Sequence, residues 1–142
     1  MPAANVRVLI ADDHSPTRNA LREDLERAGI EVCAEAGTGT EAVAAARRER
    51  PDVCLLDVYM PDDGIDAARA IRRALPATRV ILMTAAPDED GVLAAARAGA
   101  VGYLAKDVSP GRLPHVVRAV AGGETAYPRS LLGALLRTLI QD

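Results

Sequence analysis

Val53-Cys54-Leu55-Leu56-Asp57 decides how this chain folds. The run has strand length, is bounded by Pro51-Asp52 before it and Met60-Pro61 after it, and is too short for an ordinary helix. Its four leading residues are all apolar, with no polar residue alternating among them. Such a strand must be covered on both faces, as in a parallel sheet with helices above and below. The run closes on a carboxylic acid. An acid at the edge of an apolar sheet is costly unless it is paired or put to use, which makes Asp57 the first candidate for chemistry.

Working outward, similar strand-like runs occur at Val6 to Ala11, Ile30 to Glu35, Arg79 to Thr84 and Val101 to Ala105. Longer segments of helical period separate them, and this alternation predicts a parallel α/β sheet built from five β-α units. Ser15-Pro16 and Ser109-Pro110 each read as a cap residue before a proline in the first helical turn. Thr38 with Glu41 reads as a capping box. Helix stops are expected at Gly29, Gly99 and Gly122-Gly123, and before Pro51 and Pro76. In an open parallel sheet the loops after the strands gather into one crevice, where ligands bind. The residues placed there are Asp12 and Asp13, Asp57, Thr84 and Lys106.

Composition narrows the function. The 142 residues suit one domain, and 49% apolar content with 26% charged residues describes a globular chain. A net charge of -3 with no Lys/Arg cluster supplies no basic footprint for a phosphate backbone, so direct nucleic acid binding is not expected. Met1 to Arg7 lacks the pattern of a signal peptide, and no apolar run reaches membrane-spanning length, so a cytoplasmic location without membrane contact is expected. Cys33 and Cys54 lie in apolar runs without other ligands at metal spacing, and read as small buried hydrophobes.

Three carboxylates at one end of a sheet repel each other unless a cation compensates them. With hard oxygen ligands and no His or Cys, the ion that suits the set is Mg²⁺. Asp13 and Asp57 are expected as direct ligands, Asp12 directly or through water, with the backbone carbonyl of Tyr59 contributing. A carboxylate can attack phosphorus to give an aspartyl phosphate if charge on the transferring oxygens is neutralised. The Lys106 ammonium and the Thr84 hydroxyl can serve those oxygens. Singly, Asp12-Asp13 reads as polar residues ahead of a helix, Thr84 as a strand former and Lys106 as a solvated cation. Together they occupy successive strand ends.

The set Asp12-Asp13-His14, Asp57-Val58-Tyr59-Met60-Pro61, Thr84-Ala85-Ala86 and Gly102-Tyr103-Leu104-Ala105-Lys106-Asp107 resembles the receiver domain of two-component response regulators, over residues 5 to 122. Asp-Asp-His after the first strand and Lys106-Asp107 after the fifth resemble the NarL/LuxR-type subgroup. The resemblance implies a three-layer, doubly wound (βα)5 flavodoxin-like (CheY-like) sheet of order 2-1-3-4-5. It implies Asp57 as phosphoacceptor, Asp12 and Asp13 as acidic metal-site residues, Lys106 as the phosphoryl-site lysine, and Thr84 and Tyr103 as the switch pair. It also implies a sensor histidine kinase as partner, transcription control as output through a helix-turn-helix domain lying outside this chain, and a homodimer through the fourth helix, fifth strand and fifth helix or through the tail. Such a domain is a phosphoacceptor rather than an enzyme. One departure is visible: Met60-Pro61-Asp62-Asp63-Gly64 is a residue shorter than the common loop.

Other readings compete. A haloacid-dehalogenase-type phosphatase shares the aspartate nucleophile but needs a second acid where Tyr59 stands. A nucleotide binder needs a glycine-rich or hydroxyl-rich loop where Asp12-Asp13 would repel phosphate. A receiver-shaped interaction module that never carries phosphate would be expected to lack one of the acidic or switch groups. The domain reading is 1–123 for the receiver and 124–142 for a tail. Leu131, Leu132, Leu135, Leu136, Leu139 and Ile140 there predict an apolar stripe on a linker helix, with a sixth helix completing the core as the alternative.

Overall fold

The computed structural model describes residues 5–141, and so the signal-peptide reading falls in part, at Met1 to Ala4, outside the described residues. Five strands run β1 (Arg7–Ala11), β2 (Glu31–Ala36), β3 (Val53–Asp57), β4 (Arg79–Thr84) and β5 (Gly102–Ala105). They pair in parallel in the order β2-β1-β3-β4-β5. The helices are α1 (Ser15–Arg27), α2 (Gly39–Glu49), α3 (Gly64–Ala74), α4 (Glu89–Arg97) and α5 (Arg112–Ala121), followed by α6 (Leu132–Gln141). This is the flavodoxin-like (βα)5 arrangement with an extra C-terminal helix. Among the described residues no helix is long and apolar enough to cross a membrane.

The apolar runs are unbroken because the strands feed two cores at once. Leu9, Cys54, Leu56, Val80 and Leu82 face the side covered by α2, α3 and α4. Their neighbours Val8, Ile10, Val53, Leu55, Ile81 and Met83 face the other side, with Leu25 of α1 and Val117 of α5. Successive side chains of a strand point to opposite faces, so a sheet buried twice needs apolar residues at both parities.

Strand ends move by a residue from expectation: β1 starts at Arg7, β2 spans Glu31–Ala36 and β5 starts at Gly102. Ile30 is excluded from β2 because its N–H closes the end of α1, donating to Leu25 O at 3.0 Å. The cap readings change more. His14, not Ser15, is the N-cap of α1, its Nδ1 accepting the Thr17 N–H at 3.3 Å, which places Ser15 and Pro16 inside the first turn. At α5 no side chain caps the helix: Ser109 to Arg112 form a turn in which the Arg112 N–H reaches Ser109 O at 2.9 Å. Thr38 does cap α2 through Glu41 N at 3.1 Å, while the Glu41 carboxylate reaches one residue too far back, to Gly37 N at 2.9 Å. Gly29, Gly99 and Gly123 hold positive φ of 85°, 88° and 105° at the turns that end their helices.

After α5 the chain returns along the outer edge of the sheet. Ala126 N donates to Val101 O at 2.8 Å and Tyr103 N to Ala126 O at 2.9 Å, a single bridge that covers part of the β5 edge. Helix α6 then lies on α4, with Ala134 buried, Leu131 and Leu135 packed beside it, and Arg137 paired to Glu89 at 3.2 Å. The six-residue apolar stripe is thereby divided. Leu132, Leu136, Leu139 and Ile140 remain exposed, because the apolar arc is wider than the strip that α4 can cover.

Candidate functional site at the carboxyl edge of the sheet

The sheet order brings the ends of β1 and β3 side by side, and with them Asp12, Asp13 and Asp57. Ligand oxygens of the three lie within 4.8 Å of one another. Asp12 and Asp57 are buried, Asp57 at 5% exposure, and Asp13 faces solvent. Lys106, one residue beyond β5, reaches over to both buried acids: its Nζ lies 2.9 Å from Asp12 Oδ2 and 3.0 Å from Asp57 Oδ2. Lys106 is held there by its own backbone, the N–H donating to Thr84 O at 2.9 Å.

Each buried carboxylate spends its second oxygen on backbone. Asp12 Oδ1 accepts from His14 N at 2.8 Å, and Asp57 Oδ1 accepts from Tyr59 N at 3.2 Å. These turns fix the acids from their own strand ends. The carbonyl of Asp12 is in turn held by the Arg18 guanidinium, which also pairs with Glu35 at 3.0 Å. At the other acid, α3 begins so close to the strand end that a Cβ at Gly64 would stand 2.9 Å from the Asp57 carbonyl carbon and 3.0 Å from Val58 Cα. Glycine is required at that contact. The loop before α3 has strained backbone geometry, since Asp62 and Asp63 both adopt positive φ, 68° and 50°. The loop is also tied to α2, through Thr40 Oγ1 to Asp62 Oδ2 at 2.7 Å and Gly39 N to Pro61 O at 3.0 Å.

The electrostatics follow from burial. Desolvation raises the pKa of Asp57, the charge of Asp12 adds to the rise, and the Lys106 and Tyr59 hydrogen bonds oppose it without cancelling it. Burial works against the Lys106 ammonium, but hydrogen bonds and charge from Asp12 and Asp57 outweigh it, so its pKa is raised. One cation therefore serves two buried anions, with Asp13 as a third acid at the same opening. The surplus negative charge, the all-oxygen donor set and the solvent-facing Asp13 fit a small hard divalent cation.

Thr84 is buried at the end of β4, paired with Ala105 in the register of the sheet. Tyr103 is buried on the α4 side at 2% exposure, its hydroxyl accepting from Asp88 N at 3.3 Å. Tyr59, two residues after Asp57, is 75% exposed. The pairing of Lys106 with Asp12 and the seat of the Tyr103 hydroxyl escape a reading of the sequence, because each joins different β-α units. The cap by His14 had a local signal, in its place just before Ser15-Pro16. Cys54 is inert in this fold, its thiol pushed up to about 12 by burial, and Cys33 is raised in the same direction.

Comparison with known proteins agrees with this geometry. The family model of the response regulator receiver domain matches residues 8–118. The transcriptional regulatory protein LiaR of Bacillus subtilis is 37% identical over 136 residues, 94% of this chain and 64% of its own length. The nitrate/nitrite response regulator protein NarP of Escherichia coli is 40% identical over 130 residues, 89% of this chain and 60% of its own. The chain thus spans less than two thirds of these curated relatives. Among solved structures, a LuxR-family two-component response regulator from Aurantimonas sp. superposes with a TM-score of 0.86 at 30% identity, covering 96% of this chain and 99% of that one.

Proposed function

Because this chain belongs to the response regulator receiver domain family, in its NarL/LuxR-type branch, we propose that Asp57 accepts a phosphoryl group from a sensor histidine kinase in a Mg²⁺-dependent reaction. The observation that carries this reading is Lys106 Nζ set between Asp12 and Asp57 at 2.9 and 3.0 Å, with Asp13 completing the oxygen cluster. Asp12, Asp13 and Asp57 would hold the ion, with the carbonyl of Tyr59 as a further ligand. Bound there, Mg²⁺ supplies charge neutralisation for the phosphoryl oxygens.

The protein's own part is to hold the nucleophile and receive charge. A carboxylate oxygen of Asp57 bonds to phosphorus while the bond from phosphorus to the donor atom breaks, its electron pair leaving with the donor. Lys106 then exchanges its contact with Asp57 for a phosphoryl oxygen, and the Thr84 hydroxyl donates to another. Engagement of Thr84 favours the inward position of Tyr103, and so couples the site to α4, β5 and α5. That face, or the exposed side of α6, is where a second copy or an output domain docks. By likeness to LiaR and NarP, the output is control of transcription through a DNA-binding domain outside this chain, in the cytoplasm. The domain itself is a phosphoacceptor and not a turnover enzyme.

Intact mass after incubation with acetyl phosphate and Mg²⁺ tests the reading. One added phosphoryl group is expected in the parent and none in Asp57→Ala. An Asp57→Ala protein modified to the same extent refutes the assignment, and a parent that stays unmodified under kinase and small donors alike favours a phosphate-independent interaction module.

A further inference from the structure

Position 91 is the third residue of α4, an ordinary helical position where nothing in the backbone calls for glycine. Glycine is the poorest helix former after proline, so its use inside a helix calls for a reason outside the helix. The reason is across the cleft. A Cβ built on Gly91 would stand 2.8 Å from Cζ of Tyr103 and closer still to its hydroxyl oxygen. The ring cannot keep its present place at that distance and must move if a side chain is added.

The rest of the seat is made by the cap of α4. The Asp88 N–H donates to the Tyr103 hydroxyl at 3.3 Å, while Asp88 Oδ1 accepts from Gly91 N at 2.7 Å. The helix start is thereby folded around the phenol. The backbone of Tyr103 is fixed independently, through Leu82 in the sheet register and Ala126 O at 2.9 Å, so the ring alone is free to relocate. Clefts flank it on both sides. One of 560 Å³, lined by Val58, Tyr59, Met60 and Gly91, opens toward the phosphoacceptor loop. The other, of 620 Å³, is lined by Pro87, Val108, Arg112 and Tyr127 on the outer side of β5.

We propose that Gly91 is the positioning residue of the switch: by lacking a side chain it creates the seat that holds Tyr103 inward, and any larger residue there sends the ring to the outer cleft. The inference rests on the reading of Tyr103 as a switch residue, but the seat itself is a matter of packing. Residue 91 thus sets how far the inward and outward positions of Tyr103 differ in free energy, and with it how strongly a phosphoryl group at Asp57 can move the α4 and β5 face.

The test is a cycle of Gly91→Ala, Tyr103→Ala and the double variant in the full chain. Alanine should be clearly less destabilising in the Tyr103→Ala background, where helix propensity favours it and its Cβ meets only Asp88 Oδ1 at 2.9 Å, than beside the native tyrosine. Nitration with tetranitromethane, mapped by peptide mass, should leave Tyr103 protected in the parent and modify it in Gly91→Ala to the level of exposed Tyr59. Additive melting shifts with Tyr103 equally protected in both proteins would overturn the proposal. If Gly91→Ala does not fold, the double variant must, and its failure to fold also overturns it. Intact-mass phosphorylation of the parent runs alongside: its absence would refute the phosphoacceptor reading while leaving the seat standing.

Discussion

At Asp57 the balance of forces can be read as a dependence on pH. Burial raises its pKa despite Lys106, so the native state keeps the proton at pH values where the unfolded chain, near an ordinary carboxylate value of about 4, has released it. Where the native state binds more protons than the unfolded state, stability falls as pH rises. The stabilising contribution is therefore complete below the unfolded value and is lost as pH climbs through the raised native one. Asp57→Asn carries no such titration. In metal-free buffer its stability, measured by urea unfolding, should exceed that of the parent at pH 7 and the gap should narrow toward pH 4. A gap that widens toward acid would mean that the Lys106 pair outweighs desolvation. The chemistry explains the arrangement: a nucleophile kept partly starved of solvation gains when an ion and a phosphoryl group supply the missing partners.

Among the elements, α6 shows how far local pattern carries a reading. Four-residue spacing of leucines was enough to predict a helix, and the helix exists. Which side of it is covered depends on α4, a helix some forty residues earlier, and no pattern within the tail reports that. The same limit applies to α5, where Ser109-Pro110 has the composition of a cap yet a turn intervenes before Arg112. The relation of the tail to the domain can be weighed in energy. Removing residues 128–142 takes away Ala134 and the inward sides of Leu131 and Leu135, and uncovers the face of α4 on which they pack. At about 25 cal/mol per Å² of apolar surface, that costs roughly 2 kcal/mol, and the exposed Arg137–Glu89 pair adds little. The five β-α units retain both of their cores without it. The truncated chain should therefore melt lower but cooperatively, and should still take up phosphate at Asp57. Loss of the folded circular dichroism spectrum on truncation would show instead that α6 is part of the folding unit.

On the scale of the whole molecule, the architecture was legible because one physical demand governs it. The central strands β1, β3 and β4, buried on both faces, must be apolar at nearly every position, and with two further strand-like runs and helical segments between all five they admit few arrangements. The acids were legible for the complementary reason, each standing where an apolar run stops. Contacts that join separate units were not, and they include Lys106 to Asp12 and Gly91 to Tyr103. Local sequence places groups at strand ends, and only the closed sheet says which ends are neighbours.

The same closure makes the site a device for linking ion binding to global stability. Asp12 follows β1 and Asp57 ends the adjacent β3, and these strand ends are together only in the folded chain, so a divalent cation held between them and Asp13 would bind the native state and not the unfolded one. Stabilisation then grows as RT ln(1 + [L]/Kd), reaching about 2.7 kcal/mol at a hundredfold excess over Kd. For a chain of 142 residues this corresponds to a rise in melting temperature of roughly 5 to 10 °C. Magnesium chloride titrated at constant ionic strength should produce that rise in the parent. In Asp13→Asn it should need far more salt, because Asp13 is the one of the three acids not engaged by Lys106 and a backbone N–H among the described residues. Sodium chloride at matched ionic strength separates specific binding from screening of the acidic cluster. An equal rise with sodium, or an unchanged response in Asp13→Asn, would mean that the three acids do not act as one site.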